Sequence, residues 1–362
     1  MKKVLFPVLI LFFSCQLFSQ SLPLWIKNTK FKGDFRLREE YKDETGKIER
    51  YRTRIRFRLG FITKVNNTLK FGAGFATGSG DPRSTNITLG DSDSKKDFNL
   101  DYAFAEYVPF SGLTVWGGKY KGIKNILFRP TDLLWDSDIT PEGFGFLYSK
   151  DLSENSRFFF NSSYMILAEF KESGADPFVY FVQPGIVFQR GALKIKAAFS
   201  FFNTVHCEGS SFDYSSHSNS VDSEGKLLYD YSVLNPSFEV SWKTNFRSIE
   251  YLRVFGEYAV NSNVDDEDTG YILGFRFGKK IEKNGDFELT YSYRYLEKDA
   301  WLDIFPDSDS FGGKTDLKGS EVEIKVGIAK NVYLSIDYYD MKRVLDEDKT
   351  CKLIQFDLNF KF

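Results

Sequence analysis

Long hydrophobic runs are almost missing from this sequence, and their scarcity limits how the chain can meet a membrane. After an apolar run at residues 4–13, no stretch approaches the roughly 18 apolar residues that a membrane-spanning helix needs. A closed β-barrel is the other structure that satisfies every backbone polar group inside a bilayer. The sequence therefore excludes a bundle of membrane helices and leaves a barrel open.

The sequence also has no excess of basic residues and few histidines and cysteines. The 48 Lys and Arg face 50 Asp and Glu, and this balance excludes nucleic acid as a partner because a phosphate-binding surface needs a basic excess. His206 and His217 share one serine-rich segment that offers neither a rigid triad nor enough metal ligands. We therefore expect no enzyme, catalytic residue, metal or cofactor. We expect Cys207 and Cys351 to be free thiols, with a disulfide as the alternative that export allows.

The N-terminus has the features of a secretory signal peptide. A basic start precedes the apolar run at residues 4–13, which is too short to span a bilayer, and small and polar residues follow it. We predict that residues 1–20 are removed by cleavage near Gln20. Lipid attachment at Cys15 is a weaker alternative because the residues before it fit a lipidation site poorly.

Aromatic residues are abundant, and they alternate with charge. The 38 Phe and 20 Tyr suit a surface that meets lipid and headgroups. In residues 50–63 the odd positions are mostly apolar and the even positions carry five arginines. A β-strand would therefore have an apolar face and an opposite face with a row of guanidinium groups. The preceding segment alternates in the same way. Together the two strands predict a basic wall that lines the channel: Arg36, Arg38, Arg50, Arg52, Arg54, Arg56 and Arg58.

Link lengths between the alternating segments give a second signal for the fold. Long links, such as residues 79–97, 122–139 and 206–233, take turns with short ones, such as residues 64–67. Outer-membrane barrels have long extracellular loops and short periplasmic turns. The pattern predicts an all-β, antiparallel up-and-down transmembrane barrel of about 16 strands, with 14 or 18 as alternatives. A short periplasmic lead would occupy residues 21–28, and one barrel would occupy residues 29–362.

The last alternating segment ends on an aromatic residue. Such an ending resembles the signal that outer-membrane barrels present to their assembly machinery. We predict that this signal consists of four residues on one face of the last strand: Phe356, Leu358, Phe360 and Phe362.

A barrel of this size predicts an aqueous channel, because about sixteen strands leave space that side chains do not fill. The predicted inward faces are charged or contain glycine, so we expect water in the lumen. The link at residues 122–139 is in the position of the loop that narrows general porins. If it folds inward, acids would face the basic wall and create a transverse field; otherwise they would form salt bridges that hold the loop. The predicted constriction acids are Asp132, Asp136, Asp138 and Glu142.

Four patches of sequence resemble a known bacterial family. They are GDFRLREEYKDETGKIERYRTRIRFRLGF, FATGSGDPRSTNITLGD, VWGGKYKG and LLWDSDITPEGFGF, which lie within residues 33–147. They are similar to the family named putative porins, although Lys121-Gly122-Ile123 stands where that family tends toward Asn-Pro-Phe. The resemblance implies a barrel and a pore but no substrate.

The sequence therefore predicts an outer-membrane porin of a Gram-negative bacterium that admits small polar or charged solutes by passive diffusion. A substrate-selective transporter and a non-conducting receptor or structural barrel are the alternatives. The expected partners are membrane lipid, lipopolysaccharide and the barrel assembly machinery, and analogy with sixteen-stranded porins suggests a homotrimer.

Overall fold

A computed structural model gives the fold of residues 23–171 and 174–362. The predicted signal peptide, residues 1–20, lies outside the described residues, and the domain division stays a prediction. A four-residue helix, α1 (Leu24–Lys27), precedes the first strand. Within the described ranges, no helix is long and apolar enough to cross a membrane.

All the named strands in the described residues belong to one antiparallel sheet. The first nine are β1 (Lys30–Glu44), β2 (Arg50–Lys64), β3 (Leu69–Thr77), β4 (Ile87–Thr88), β5 (Phe98–Phe110), β6 (Leu113–Lys119), β7 (Glu142–Ser153), β8 (Ser156–Ile166) and β9 (Phe178–Arg190). The other eight are β10 (Leu193–Val205), β11 (Ser232–Lys243), β12 (Tyr251–Asn261), β13 (Thr269–Gly278), β14 (Phe287–Leu296), β15 (Leu317–Ala329), β16 (Val332–Arg343) and β17 (Thr350–Lys361).

The sheet closes on itself through β1. This strand pairs with β2 on one side and with β17 on the other, so that Asp34 lies opposite both Arg58 and Lys361. The two-residue strand β4 pairs only with β2 and belongs to the connection between β3 and β5. The remaining strands form a closed sixteen-stranded barrel, which confirms the predicted fold class and strand count.

Alternation along each strand separates the two faces of the wall. In β1, Arg38 and Glu40 are buried on the lumen side, whereas Phe31 is 70% exposed and Leu37 is 37% exposed on the outer side. Successive side chains of a strand point to opposite faces. Charged residues at alternate positions therefore enter the lumen, and aromatic and aliphatic residues form the outer surface.

Glycines allow an aromatic side chain to lie flat on the inner wall. A Cβ at Gly60 would lie 2.1 Å from the hydroxyl of Tyr102, and a Cβ at Gly74 would lie 2.3 Å from the ring of Tyr102. The register shifts beside Gly74, where Tyr102 pairs with Gly74 and Leu100 with the next residue, so Asp101 is the extra residue of a β-bulge. The missing side chains thus make room for Tyr102.

Long and short connections alternate as the sequence predicts. The connection between β6 and β7 covers residues 120–141, that between β10 and β11 covers 206–231, and that between β14 and β15 covers 297–316. The connections at the opposite end are short, for example residues 191–192 and 330–331. Both Cys207 and Cys351 are buried free thiols, so the alternative of a disulfide between them is wrong.

Candidate functional site

The connection at residues 120–141, here called the inner loop, folds into the barrel. Several of its apolar side chains are almost fully buried against the lumen wall. They include Ile123, Ile126, Leu133, Leu134 and Trp135. Of the two arrangements that the sequence left open for residues 122–139, the structure has the inward fold.

Two polar side chains of the wall hold the inner loop in place. The amide of Gln183 on β9 accepts a hydrogen bond from the backbone N–H of Phe128 and donates one to its carbonyl, both at 2.8 Å. The carboxylate of Glu257 on β12 accepts hydrogen bonds from the backbone N–H and the hydroxyl of Thr131, at 3.0 and 2.8 Å. Neither residue was predicted from the sequence, because neither stands in a pattern of alternating charge.

Two more connections enter the lumen beside the inner loop. They are the facing loop, residues 297–316, and the long loop, residues 206–231. The ring centroid of Trp135 lies 4.3 Å from that of Phe305 and 5.4 Å from that of Trp301 in the facing loop. Phe202, which projects inward from β10, lies 5.3 Å from Trp301. An aromatic core therefore fills one side of the barrel.

This core corrects one expectation from the sequence. The inward faces were expected to be charged or glycine-containing, yet the buried lumen side of β8 to β11 is partly apolar. The alternation there is weak because both faces carry apolar residues, one toward lipid and one toward the loops. The inward apolar residues are Phe159, Met165, Val179, Phe181, Phe202 and Val233.

The predicted basic wall lies on the opposite side of the lumen. The guanidinium of Arg38 binds Asp357 on β17 through two hydrogen bonds of 2.7 and 2.8 Å, and it lies 3.3 Å from Asp309 of the facing loop. The guanidinium of Arg36 lies 3.4 Å from the same Asp357 carboxylate. One wall carboxylate thus serves two arginines of β1.

Toward the extracellular end, Arg52 and Arg54 share one carboxylate. The guanidinium of Arg54 lies 3.1 Å from Glu40, and that of Arg52 also contacts Glu40. Arg50 stands at the exposed start of β2 and forms no ion pair with the described residues. Toward the periplasmic end, Arg56 and Arg58 share a second carboxylate.

That second carboxylate is Asp34. It accepts a hydrogen bond of 2.9 Å from Arg56 and one of 2.8 Å from Arg58. Arg58 also lies 3.1 Å from Asp138 of the inner loop. Six of the seven predicted arginines are therefore neutralised in large part by neighbouring carboxylates.

The four predicted constriction acids have different places. Burial alone would raise the pKa of Asp138, but the guanidiniums of Arg58, Arg56 and Arg36 outweigh it and hold the pKa at about 2. This carboxylate is the one of the four that meets the basic wall.

Asp136 and Asp132 face the other loops and the far wall. Asp136 is buried where the inner loop meets the facing loop, and it accepts a hydrogen bond of 2.9 Å from the backbone N–H of Ser308. Burial, followed by the carboxylates of Asp138 and Asp307, raises the pKa of Asp136 well above its usual range. Asp132 lies 3.0 Å from the guanidinium of Arg294 on β14.

Glu142 lies outside the inner loop. It is the first residue of β7, on the face that carries the exposed Phe144, and its carboxylate lies 2.8 Å from Lys119. Its assignment to the constriction is therefore wrong, because the strand has already begun and its alternation turns this side chain away from the lumen.

A buried arginine on β14 contacts one acid of the inner loop, one of the facing loop and one of β15. Arg294, whose side chain is 3% exposed, contacts Asp132, Asp307 and Glu321, and the carboxylate oxygens of these three lie within 4.8 Å of one another. Arg294 supplies the positive charge that the three carboxylates need. Asp337 on β16 lies on the same side of the lumen.

These groups enclose one water-accessible chamber of about 480 Å³. Arg36, Arg38, Arg56 and Arg58 line it on one side, and the acids around Arg294 line it on another. In all, nine cationic and ten acidic side chains line the chamber. Charges of opposite sign thus surround the space through which a solute would pass.

The model of the family described as putative porins matches residues 42–246 and 230–362. The chain belongs to the putative porin family. No curated protein matches this porin.

Several solved structures share the fold of this porin. OprB of Pseudomonas putida, in its high-pH structure, is 11% identical, with 94% of this chain and 95% of that chain covered and a TM-score of 0.61. OmpF of Salmonella typhi, in complex with daunomycin, is 12% identical, with 92% and 97% covered and a TM-score of 0.55. The outer membrane channel DcaP of Acinetobacter baumannii is 14% identical, with 92% and 97% covered and a TM-score of 0.51.

Family and fold together place this porin in the outer membrane, as the sequence predicts. The protein is a channel for passive diffusion. At these identities the solved structures establish the barrel architecture and no substrate.

Proposed function

We propose that this porin conducts small polar and charged solutes through the chamber between the basic wall and the acids around Arg294. The proposal rests on one observation: the inner loop folds into the lumen and narrows it, and the remaining space keeps a charged lining. Solutes that cross this space meet guanidiniums on one side and carboxylates on another. Such a transverse field orients dipolar solutes and discriminates among ions.

Pairing of opposite charges limits the net charge of the lumen lining. Arg56 and Arg58 share Asp34, and Arg52 and Arg54 share Glu40, so each cluster carries a small net charge. The nine cations and ten acids of the chamber nearly cancel. We therefore expect weak selectivity between monovalent anions and cations, with solute size as the first criterion for passage.

A catalytic function has little support in the lumen or in the loops. The ring of His206 contacts a backbone carbonyl, that of Asp176, at 3.3 Å. Among the described residues, no hydrogen bond joins a histidine ring to a serine hydroxyl. A nucleophilic triad needs that contact, and we infer that the protein is a channel without an enzymatic site.

The experiment that tests the proposal is single-channel recording of the refolded porin in planar bilayers under a salt gradient. The wild type is compared with Arg54→Ala/Arg56→Ala. Removal of the two guanidiniums leaves Glu40 and Asp34 less compensated, so the reversal potential should move toward cation selectivity. The matched control is Arg190→Ala/Arg247→Ala, which removes two exposed arginines near the short turns.

Stepwise openings, together with a shift in the test variant and none in the control, would support the proposal. A barrel that inserts but never conducts would contradict it and would favour a receptor or structural role. A substrate-selective transporter is the second candidate, because three loops occupy the lumen. Saturation of the current by one solute class would favour it.

We also propose partners for the outer surface. Exposed apolar side chains such as Leu59, Phe75 and Leu273 suit contact with membrane lipid. The charged long loops at the extracellular end of the barrel suit contact with lipopolysaccharide. For the assembly machinery, the support is the outward face of β17, which carries the predicted signal residues Phe356, Leu358 and Phe360; Phe362 follows directly after the strand.

A homotrimer is the assembly that we propose for this porin. Apart from β4, the shortest strands are β3 and β6, with 9 and 7 residues, on either side of the 13-residue β5, and exposed aromatic residues such as Phe75 and Phe98 lie in that sector. Short strands there would let neighbouring barrels pack closely. Native mass spectrometry of the porin in detergent would test this, and a monomer at all concentrations would contradict it.

A further inference from the structure

A second cavity, of about 370 Å³, lies beside the main chamber on the side of the short turns. The two share lining residues of the inner loop, Lys124, Ser137 and Asp138, and lining residues of the wall, Asp34, Arg58 and Lys361. We call this second cavity the lysine chamber. Its lysines come from three elements of the fold: Lys32 from β1, Lys121 and Lys124 from the inner loop, and Lys361 from β17.

The four lysines lack carboxylate partners. In the described part of the chain, no carboxylate lies within ion-pair distance of any of them. Five cationic side chains, the four lysines and Arg58, line the lysine chamber against three acidic ones, Asp34, Asp101 and Asp138. The main chamber, in contrast, is nearly balanced.

The acids of the lysine chamber are mostly engaged elsewhere. Asp34 binds Arg56 and Arg58, at 2.9 and 2.8 Å, and Asp138 binds Arg58 at 3.1 Å. Asp101 is the third acid, and it forms no ion pair with the described residues. Within the lysine chamber, four ammonium groups therefore face one carboxylate that is not already paired, and two of the four, Lys124 and Lys361, also line the main chamber.

Aromatic rings position two of the lysines without neutralising them. The ammonium of Lys121 lies 5.2 Å from the ring centroid of Tyr102, and that of Lys361 lies 4.7 Å from the ring centroid of Tyr333. A ring face attracts a cation through its quadrupole and leaves the net charge unchanged. Tyr102 itself occupies the space that Gly60 and Gly74 leave open.

Neighbouring cations act on both lysines of the inner loop. Burial, and then the ammonium groups of Lys32 and Lys124, lowers the pKa of Lys121. Burial, and then the guanidiniums of Arg58 and Arg129, lowers the pKa of Lys124. A bound anion would relieve this repulsion, and two charges on one small solute would relieve it more than one.

We propose that the lysine chamber is a binding site for small dianions, the shared chemistry of phosphate-bearing and dicarboxylate solutes. The proposal rests on the porin function proposed above and names the solute class that its lumen retains. Lysine binds phosphate and carboxylate groups as a compact point charge with three donors, and the cavity volume is within the range of small-molecule sites. Monovalent anions would gain too little from the cluster to stay.

The test measures block of the channel current by added anions. Inorganic phosphate, succinate and acetate are titrated at about pH 8, where phosphate is close to a dianion, and at about 0.1 M salt, where the screening length is about 10 Å. Phosphate and succinate should reduce the current in a saturable way, and acetate should not. In Lys121→Gln/Lys124→Gln the half-blocking concentration should rise about tenfold.

Two further variants sharpen the comparison. Lys32→Gln/Lys361→Gln removes the wall lysines and should weaken block in the same direction, even if the loop variant folds poorly. Lys243→Gln/Lys330→Gln removes two exposed lysines at the same end of the barrel, outside the chamber, and should leave block unchanged.

The outcomes separate this proposal from the porin function. Block by both dianions, or by phosphate alone, that weakens in the two chamber variants supports it; phosphate alone would narrow the class to phosphate-bearing solutes. Equal block by acetate, or unchanged block in both chamber variants, overturns it while the porin function stands. If the wild type does not conduct, calorimetric titration of the refolded protein with phosphate decides the same comparison, and absence of binding overturns the proposal.

Discussion

The carboxylate of Asp138 in the inner loop lies 3.1 Å from the guanidinium of Arg58 on β2, and this ion pair joins the constriction to the basic wall. A hydrogen bond of 3.1 Å from the hydroxyl of Thr85 holds the other oxygen of the same carboxylate. The inner loop is thus fastened to the strand whose arginines it partly neutralises.

Asp138→Asn should move ion selectivity toward anions. With a pKa of about 2, Asp138 is charged across the working range of pH, so the amide removes a full negative charge from the basic wall. The reversal potential under a salt gradient measures the change. Glu142→Gln is the control, because that side chain lies on the outer face beside Lys119, and an equal shift in both variants would contradict the assignment.

Lowering the pH from about 8 to about 5 should shift the weak ion selectivity toward anions, with a midpoint near the pKa of Asp307. Burial, and then the carboxylate of Asp132, raises the pKa of Asp307 from 3.8 to about 7, although Arg294 opposes the shift. Asp309 and Glu321 also face this group. Protonation therefore removes one negative charge from the acids around Arg294.

The same shift predicts how stability depends on pH. Because the pKa is raised on folding, the contribution of Asp307 to stability is fully present below about pH 4 and is lost as the pH rises through about 7. Asp307→Asn should remove the selectivity change near pH 7 and flatten this part of the thermal stability profile. A midpoint that persists in the variant would assign the titration to another group.

Trp135→Ala should loosen the inner loop. The indole packs against Phe305, Trp301 and Phe202 at centroid distances of 4.3 to 5.7 Å, and truncation of a buried tryptophan costs about 3–5 kcal/mol. We expect larger and noisier conductance and faster proteolysis within the loop. Trp242→Ala, on the exposed outer face, should change neither property.

Phe362→Ser should reduce the yield of folded barrel in the outer membrane. The ring of Phe362 lies 6.2 Å from that of Phe57 and covers Gly33, and it ends the predicted assembly signal. Quantification of folded and unfolded forms in membrane fractions measures the effect. Phe246→Ser, at an exposed turn, is the control, and equal yields of the two variants would contradict a signal role.

Local pattern was enough to predict the wall of the barrel. Alternation of charge and apolar residues in β1 and β2 predicted which side chains enter the lumen, because a strand turns every second residue to the same face. The lengths of the links between strands, which are also a local property of the sequence, predicted the strand count. Where loops cover the inner face, as at Phe181 and Phe202, both faces are apolar and the pattern is lost.

The pairing of charges could not be read from the sequence. Arg36 and Asp357 are 321 positions apart and meet because the last strand closes the barrel against the first. Arg294 meets Asp132 because the inner loop crosses the lumen. The lysine chamber arises in the same way, since Lys32, Lys121 and Lys361 come from separate elements.

By itself, the sequence determined that this chain forms an outer-membrane barrel with charges inside, because strand alternation and connection length are local properties. The tertiary structure decided how strongly those charges act. Closure of the sheet and inward folding of the loops determine which arginines are paired with acids and which lysines stay free. The electrostatic interaction between two side chains depends on their distance in space, and strand alternation alone does not specify that distance.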